Sequence, residues 1–210
     1  MTELSYINFY DIYEGNQNEI IFAPSFDTEW FQMLDAKYSW DNFNMYDNRL
    51  WEYMYKFHDT LSSLAKGQFS SDKDFFEKLT RCQKIFNSFL IFNGEVDNGG
   101  VYQFFFNRPE FCFAIVDSLE ILGLNDLKND YSKCLDEFLS EANSFNRRKV
   151  IFLNKNYYWA KRWDSFTEGY SDIKSAETIE NYFYKEEYKK LMYKTVVDYI
   201  DNHIESFVSK

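Results

Sequence analysis

The densest set of polar groups able to do chemistry lies in EVDNGGVYQFFFN, residues 95–107. Glu95 and Asp97 are close enough in sequence to serve as an acid and a base, and Glu95 with Gln103 would give polar handles to a groove floored by Gly99 and Gly100. The same residues also suit a purely architectural role. Asn98 can cap a helix, the two glycines allow a sharp reversal, and Val101, Phe104 and Phe105 then share one helical face. Gln103 is placed to satisfy a backbone group that the turn exposes. We read the stretch first as a helix-to-helix corner and second as a small-molecule or enzymatic pocket. The glycine pair is neither G-x-G-x-x-G nor a P-loop, and no Lys-Ser/Thr follows it, so phosphate cradling has little support.

Other catalytic residue types are scattered. His58 and His203 fall on different expected helices without H-E-x-x-H spacing, which signals neither zinc hydrolysis nor a Ser/Cys-His nucleophile. Cys82, Cys112 and Cys134 are odd in number, widely spaced and set among Phe, Leu and Ile. That pattern predicts reduced, buried thiols rather than a disulfide framework or a C-x-x-C metal site. No metal and no cofactor is expected, and the balance falls against an enzyme.

Glu95, Asn98, Gly99, Gly100, Gln103, Phe104, Phe105 and Asn107 match an E-x-x-N-G-G-x-x-Q-F-F-x-N signature, with Val101 where an aromatic is usual. In this the chain resembles a family of small bacterial proteins whose best-known representatives are acidic DNA mimics. The resemblance continues through Ala114, Leu119, Leu122, Gly123 and an amphipathic C-terminal helix, covering residues 45 to 208. It implies an acidic face that imitates a nucleic-acid backbone and captures a DNA-binding protein.

The elements that must position these residues read as helices. A chain of 210 residues with 45% hydrophobic content can bury one substantial core, and only 2 prolines and 7 glycines interrupt it. The expected fold is all-α, a compact single-domain bundle of about six to eight helices with a short N-terminal β-hairpin over residues 4–13 and 19–23. Residues 1–43 would form an acidic extension packed on a helical domain of residues 44–210. Helices are expected over 27–38, over 44–66, and over 71–93, the last opened by Ser71 with Asp74 and ended by Asn93-Gly94. Pro109 to Gly123 and Asn125 to about Ser144 follow. A final helix opens at Ser175 and carries Ile179, Phe183, Leu191, Val196, Ile200, Ile204 and Phe207 on its apolar face.

Charge bears most directly on partners. The formal net charge is −11, and residues 1–60 hold 11 acidic and 3 basic side chains, a net of −8. Asp27, Glu29, Asp35, Asp41, Asp47, Glu52 and Asp59 are the candidates for an acidic interaction edge. One DNA strand presents a charge about every 3.4 Å, whereas acids at i and i+4 on a helix recur about every 6 Å. Mimicry therefore needs two neighbouring edges, or one edge repeated across a homodimer axis. Against this background Arg147, Arg148, Lys149, Lys155, Lys161 and Arg162 form a basic stretch interleaved with Phe152, Tyr157, Tyr158, Trp159 and Trp163. A basic, aromatic segment can bind single-stranded nucleic acid. In so acidic a chain we expect these cations to pair with acids of the protein or of a partner instead. The sequence reading is an interaction module that binds and sequesters a basic protein, either a DNA-binding regulator or a toxin. Direct nucleic-acid binding is not expected. With no basic leader and no bilayer-length apolar run, the expected location is the cytoplasm.

Overall fold

The computed structural model describes residues 7–13, 28–37, 44, 49–52 and 69–207, and among these every regular element is helical. The expected hairpin and the expected helix over 44–66 lie mostly outside the described residues. Within them, residues 7–13 contain no strand, and residues 49–52 are helical with Leu50 fully buried. Helix α1 (Thr28–Lys37) falls where the 27–38 pattern places it and sends Trp30, Phe31 and Leu34 into the core.

Helix α2 (Asp72–Lys78) starts as expected, with the Ser71 hydroxyl accepting from the Asp74 amide at 3.1 Å. It ends long before residue 93. Thr80 adopts an extended backbone and opens α3 (Arg81–Asn107) through a capping box. Its hydroxyl accepts from the Gln83 amide at 3.2 Å, and the Gln83 side chain accepts from the Thr80 amide at 3.0 Å. The expected stop at Asn93-Gly94 does not occur, and α3 runs straight through it. Asn93 is buried and accepts from the Tyr193 hydroxyl at 3.0 Å, while Gly94 is an exposed helical residue. The break comes later, at Gly99-Gly100.

A 3₁₀ turn at Pro109–Phe111 leads into α4 (Cys112–Ile121), which Gly123 closes with φ 77°. Helix α5 (Asn125–Ser140) buries Leu127, Tyr131, Leu135 and Phe138. No side chain caps its start, so Asn125 is its first residue rather than its cap. The chain turns at Glu141 into α6 (Ala142–Leu153), dividing what the periodicity presents as one helix to Ser144. Nothing in the local sequence marks that turn. Helix α7 (Trp159–Thr167) follows, then α8 (Ala176–Tyr184) and α9 (Glu186–Asp201). The single last helix expected from Ser175 is thus two, parted at Lys185, whose backbone is extended. Ile179, Phe183, Val196, Ile200 and Phe207 are buried as the stripe requires, but Leu191 faces solvent.

Helix α3 is the axis of the bundle. It packs against α4, α8 and α9, while α5 lies on α4 and α8, and α6 pairs with α7. Phe92 sits at the centre, its ring 5.0 Å from Phe104, 5.1 Å from Tyr131 and 5.4 Å from Phe183. The N-terminal residues add to this core. The Tyr10 amide donates to the Glu110 carbonyl at 2.8 Å, its ring stacks on Phe76 at 5.0 Å, and Ile12 is fully buried. No helix among the described residues is long and apolar enough to cross a membrane.

All three cysteines are free thiols. Burial pushes Cys112 up to about 12 and Cys134 up to about 11. Because the thiolate is the reactive form, a thiol reagent at about pH 8 should leave both unlabelled in the native protein and label them on unfolding. Fast native labelling of either would contradict the packing. Gly94 offers a second test. A Cβ there would meet nothing within 4 Å, so Gly94→Ala should raise stability by about 0.5–1 kcal/mol in urea unfolding. A loss of stability would mean that the helix stops at Gly94 after all.

Candidate functional site

The corner forms inside α3. Gly99 is extended at φ −165°, ψ 27°, and Gly100 takes φ 77°, ψ 174°, a region that only glycine occupies readily. Asn98 is still helical and exposed, so it closes the first segment and does not cap the second. At such a break the carbonyls of the last turn lose their i+4 donors. Side chains supply replacements. The Tyr184 hydroxyl donates to the Val96 carbonyl at 2.9 Å, and the Tyr170 hydroxyl donates to the Gly99 carbonyl at 3.1 Å. Burial, and then the nearby Glu180 carboxylate, raises the pKa of both phenols, which keeps them protonated donors.

Gln103 reaches back across the corner, chiefly to a side chain and only at longer range to the backbone. Its amide nitrogen lies 2.9 Å from Glu95 Oε2 and 3.5 Å from the Glu95 carbonyl. Asn107 donates to the same Oε2, also at 2.9 Å. One carboxylate oxygen thereby ties the helical segment before the break to two successive turns after it. The glycines make room for this clamp. A Cβ at Gly99 would lie 2.7 Å from the Gln103 amide carbon, and one at Gly100 would run into the Glu180 carboxylate, 3.1 Å from its Cδ. Val101, Phe104 and Phe105 are buried together, with Phe105 stacked on Phe138 at 4.6 Å.

Glu95 and Asp97 are held by different partners. Asp97 accepts from the buried Lys189 ammonium at 2.8 Å. A groove of about 630 Å³ lies where Phe105, Phe106, Pro109 and Phe145 meet Tyr10 and Lys149. Glu95, Gln103 and the two glycines do not line it. The Lys149 ammonium, its pKa lowered chiefly by burial, donates to the Phe106 carbonyl at 2.6 Å. No cluster of metal-ligating side chains occurs among the described residues. His203 bonds only locally, its Nδ1 lying 2.8 Å from the Tyr199 carbonyl.

The acidic edge is only partly in view. Glu29 is exposed on α1, and Glu52 lies 3.4 Å from Lys37 as an ion pair. Asp35 also lies on α1, while Asp27, Asp41, Asp47 and Asp59 fall outside the described residues.

A family model for DMP19-like proteins matches residues 77–203, a span that takes in the whole corner and the helices packed on it. The chain belongs to the DMP19-like protein family. No curated protein and no solved structure matches it. All of the candidate acidic residues precede the DMP19-like span.

Sequence reasoning missed Tyr170, Tyr184, Lys189 and Tyr193. They reach the corner from 71 to 100 residues away, and no spacing rule announces such contacts. The lone signal was composition, since a Tyr-rich chain carries many apolar rings with a polar tip.

Two substitutions test the clamp. Gly100→Val should cost about 1–3 kcal/mol, because it combines a disfavoured backbone with a collision. Glu95→Ala should also cost about 1–3 kcal/mol by removing a shared charged acceptor, whereas Asn98→Ala should change stability by no more than about 0.5 kcal/mol. Equal effects at residues 95 and 98 in chemical unfolding would dissolve the clamp.

Proposed function

We propose that this protein is an acidic interaction module that binds and sequesters a basic protein partner, in the manner of a DNA mimic. Membership in the DMP19-like family is the observation that carries the reading. Charge supports it, since the first 60 residues carry a net −8 against −3 for the remainder. The surface would be built from Asp27, Glu29, Asp35, Asp41, Asp47, Glu52 and Asp59, in an extension over residues 1–43 and the start of the domain at 44–210. A homodimer would repeat this edge and bring its charge spacing closer to that of a nucleic-acid duplex. The partner is a DNA-binding regulator or a toxin, and the location that suits either is the cytoplasm.

The alternative, a small-molecule or enzymatic pocket at the Glu95–Asn107 corner, draws less support. Glu95, Gln103 and Asn107 already satisfy one another there. The motif residues Asn98, Gly99, Gly100, Phe104 and Phe105 then serve the interaction module indirectly, by fixing the fold that carries it.

Exposed charges are screened within about 10 Å at ~0.1 M salt, so association with the basic partner should slow as salt rises while the fold stays intact. Asp35→Asn, Asp41→Asn and Asp47→Asn combined should reproduce that loss at low salt. Stopped-flow association with a partner recovered by pull-down measures both. Equal rates for wild type and triple variant at every salt concentration would defeat the proposal, and loss of function in Glu95→Gln would move it to the corner.

A further inference from the structure

Of the six cations between residues 147 and 162, only Arg148 has a carboxylate partner among the described residues, in Asp172. The expectation that this stretch pairs with the protein's own acids therefore holds for that residue alone. Arg147, Lys155 and Lys161 are exposed, where water solvates a charge. Arg162 lies over the Phe152 and Trp159 rings and donates from Nε to the Phe152 carbonyl. Lys149 differs from these, because it is half-buried and lines the groove beside the end of α3. One of its three N–H groups is taken by the Phe106 carbonyl at 2.6 Å. The charged groups near enough to act on it are Glu110, Arg108 and Glu95. Glu110 accepts from Arg108 at 2.7 Å, and Glu95 accepts from Gln103 and Asn107. Lys149 is left as a partly desolvated cation with no counter-ion among the described residues, and burial lowers its pKa accordingly.

Asn146, Lys149, Val150 and Leu153 follow the i, i+3, i+4, i+7 spacing of one face of α6, and all four line the groove. Its floor is made by Phe105, Phe106, Phe138 and Phe145, which the core already buries. The apolar surface left open is mainly aliphatic, since Val150 is 60% and Leu153 59% exposed. The Asn146 side-chain amide, half-buried one turn before Lys149, makes no hydrogen bond among the described residues. An apolar wall, a cation without a counter-ion and a free amide thus meet in one concavity. A few polar groups converging in an apolar pocket are what a small-molecule site requires.

Size and charge select the occupant. A groove of about 630 Å³ is the size of a small-molecule site, typically ~300–1,000 Å³, whereas a protein partner would need a surface of ~800 Å² on each side. The ammonium and the amide, neighbours on α6, suit the two oxygens of one carboxylate, which would supply the missing counter-ion. An alkyl chain suits the aliphatic wall. The other charges of the groove limit the ligand to a single acidic head. Lys73 pairs with Glu77, while Asp72 is exposed near Tyr10, whose phenol is raised by burial and then by Glu110 and Asp72. A second carboxylate reaching that end would meet like charge. We propose that the groove binds a small alkyl monocarboxylate, its head on Lys149 and Asn146 and its chain along Val150 and Leu153. The site is separate from the acidic edge and from the Glu95–Gln103 clamp, and it stands whether or not that edge binds a basic partner.

Isothermal titration calorimetry of the 210-residue chain with octanoate, octanamide and octanedioate tests the proposal, since the three probes share a chain length and differ in charge. Octanoate should bind at least ~10-fold more tightly than either of the others, the scale of a hydrogen bond to a charged group. Lys149→Met keeps the stem and removes the charge, so it should abolish the preference for octanoate over octanamide. Val150→Glu should weaken octanoate by at least ~10-fold, and because residue 150 is exposed the melting temperature should stay at the wild-type value. That variant decides the matter even if Lys149→Met, by releasing the Phe106 carbonyl, costs the fold. The Asp35, Asp41 and Asp47 triple variant should bind octanoate as wild type does. No binding of octanoate, equal binding of octanamide or octanedioate, octanoate binding untouched by Val150→Glu, or its loss in the triple variant would each overturn the proposal.

Discussion

A buried helix that turns once in its middle must find new partners for the carbonyls it strands, and most of the C-terminal half of this protein is arranged around that need. Regular backbone bonding satisfies the carbonyls of α3 up to the last turn before the break. At Gly99-Gly100 it fails, at the edge of the aromatic core, where a buried unpaired carbonyl costs about 1–3 kcal/mol. The corner lasts because two hydroxyls, a side-chain amide and a carboxylate close over it.

Those groups fix the position of the elements that bring them. Asn93 meets Tyr193 and Asp97 meets Lys189, so a step of four residues up α3 corresponds to a step of four down α9. The two helices therefore run antiparallel in a set register. The interruption at Lys185 then lets α8 swing so that Tyr184 reaches Val96, and the turn after α7 delivers Tyr170 to Gly99. Buried polar contacts of this kind specify one alignment, because slipping by a turn would bury Lys189 and Asn93 without partners.

How far this was legible in the sequence differs between its parts. Ser71 with Asp74, Pro109 and Gly123 were readable because caps and breakers act through their immediate neighbours. Asn93-Gly94 misled for the same reason, since as a pair they carry the local chemistry of a helix end. What overrides it is tertiary, as Asn93 spends its side chain on Tyr193 and Gly94 merely tolerates the helix. The divisions at Glu141 and Lys185 lack any breaker, and an apolar rhythm that continues across a turn looks like one helix. In the motif, the reach of Gln103 across the turn could be foreseen, but the return bonds of Glu95 could not, because its two partners stand 8 and 12 residues ahead.

The motif's side chains bond to one another across a joint of the fold, and the partner binding proposed above would fall to surface charge. Native-state hydrogen exchange tests that division most directly, since it reports the opening free energy of each helix segment. If the joint is rigid, amides of residues 101–107 should exchange with the same opening free energy as those of α3 before the break and of α9, as one cooperative unit. Residues 101–107 opening at a much lower free energy than their neighbours would show a hinge instead, and the corner would have to be read as a moving part.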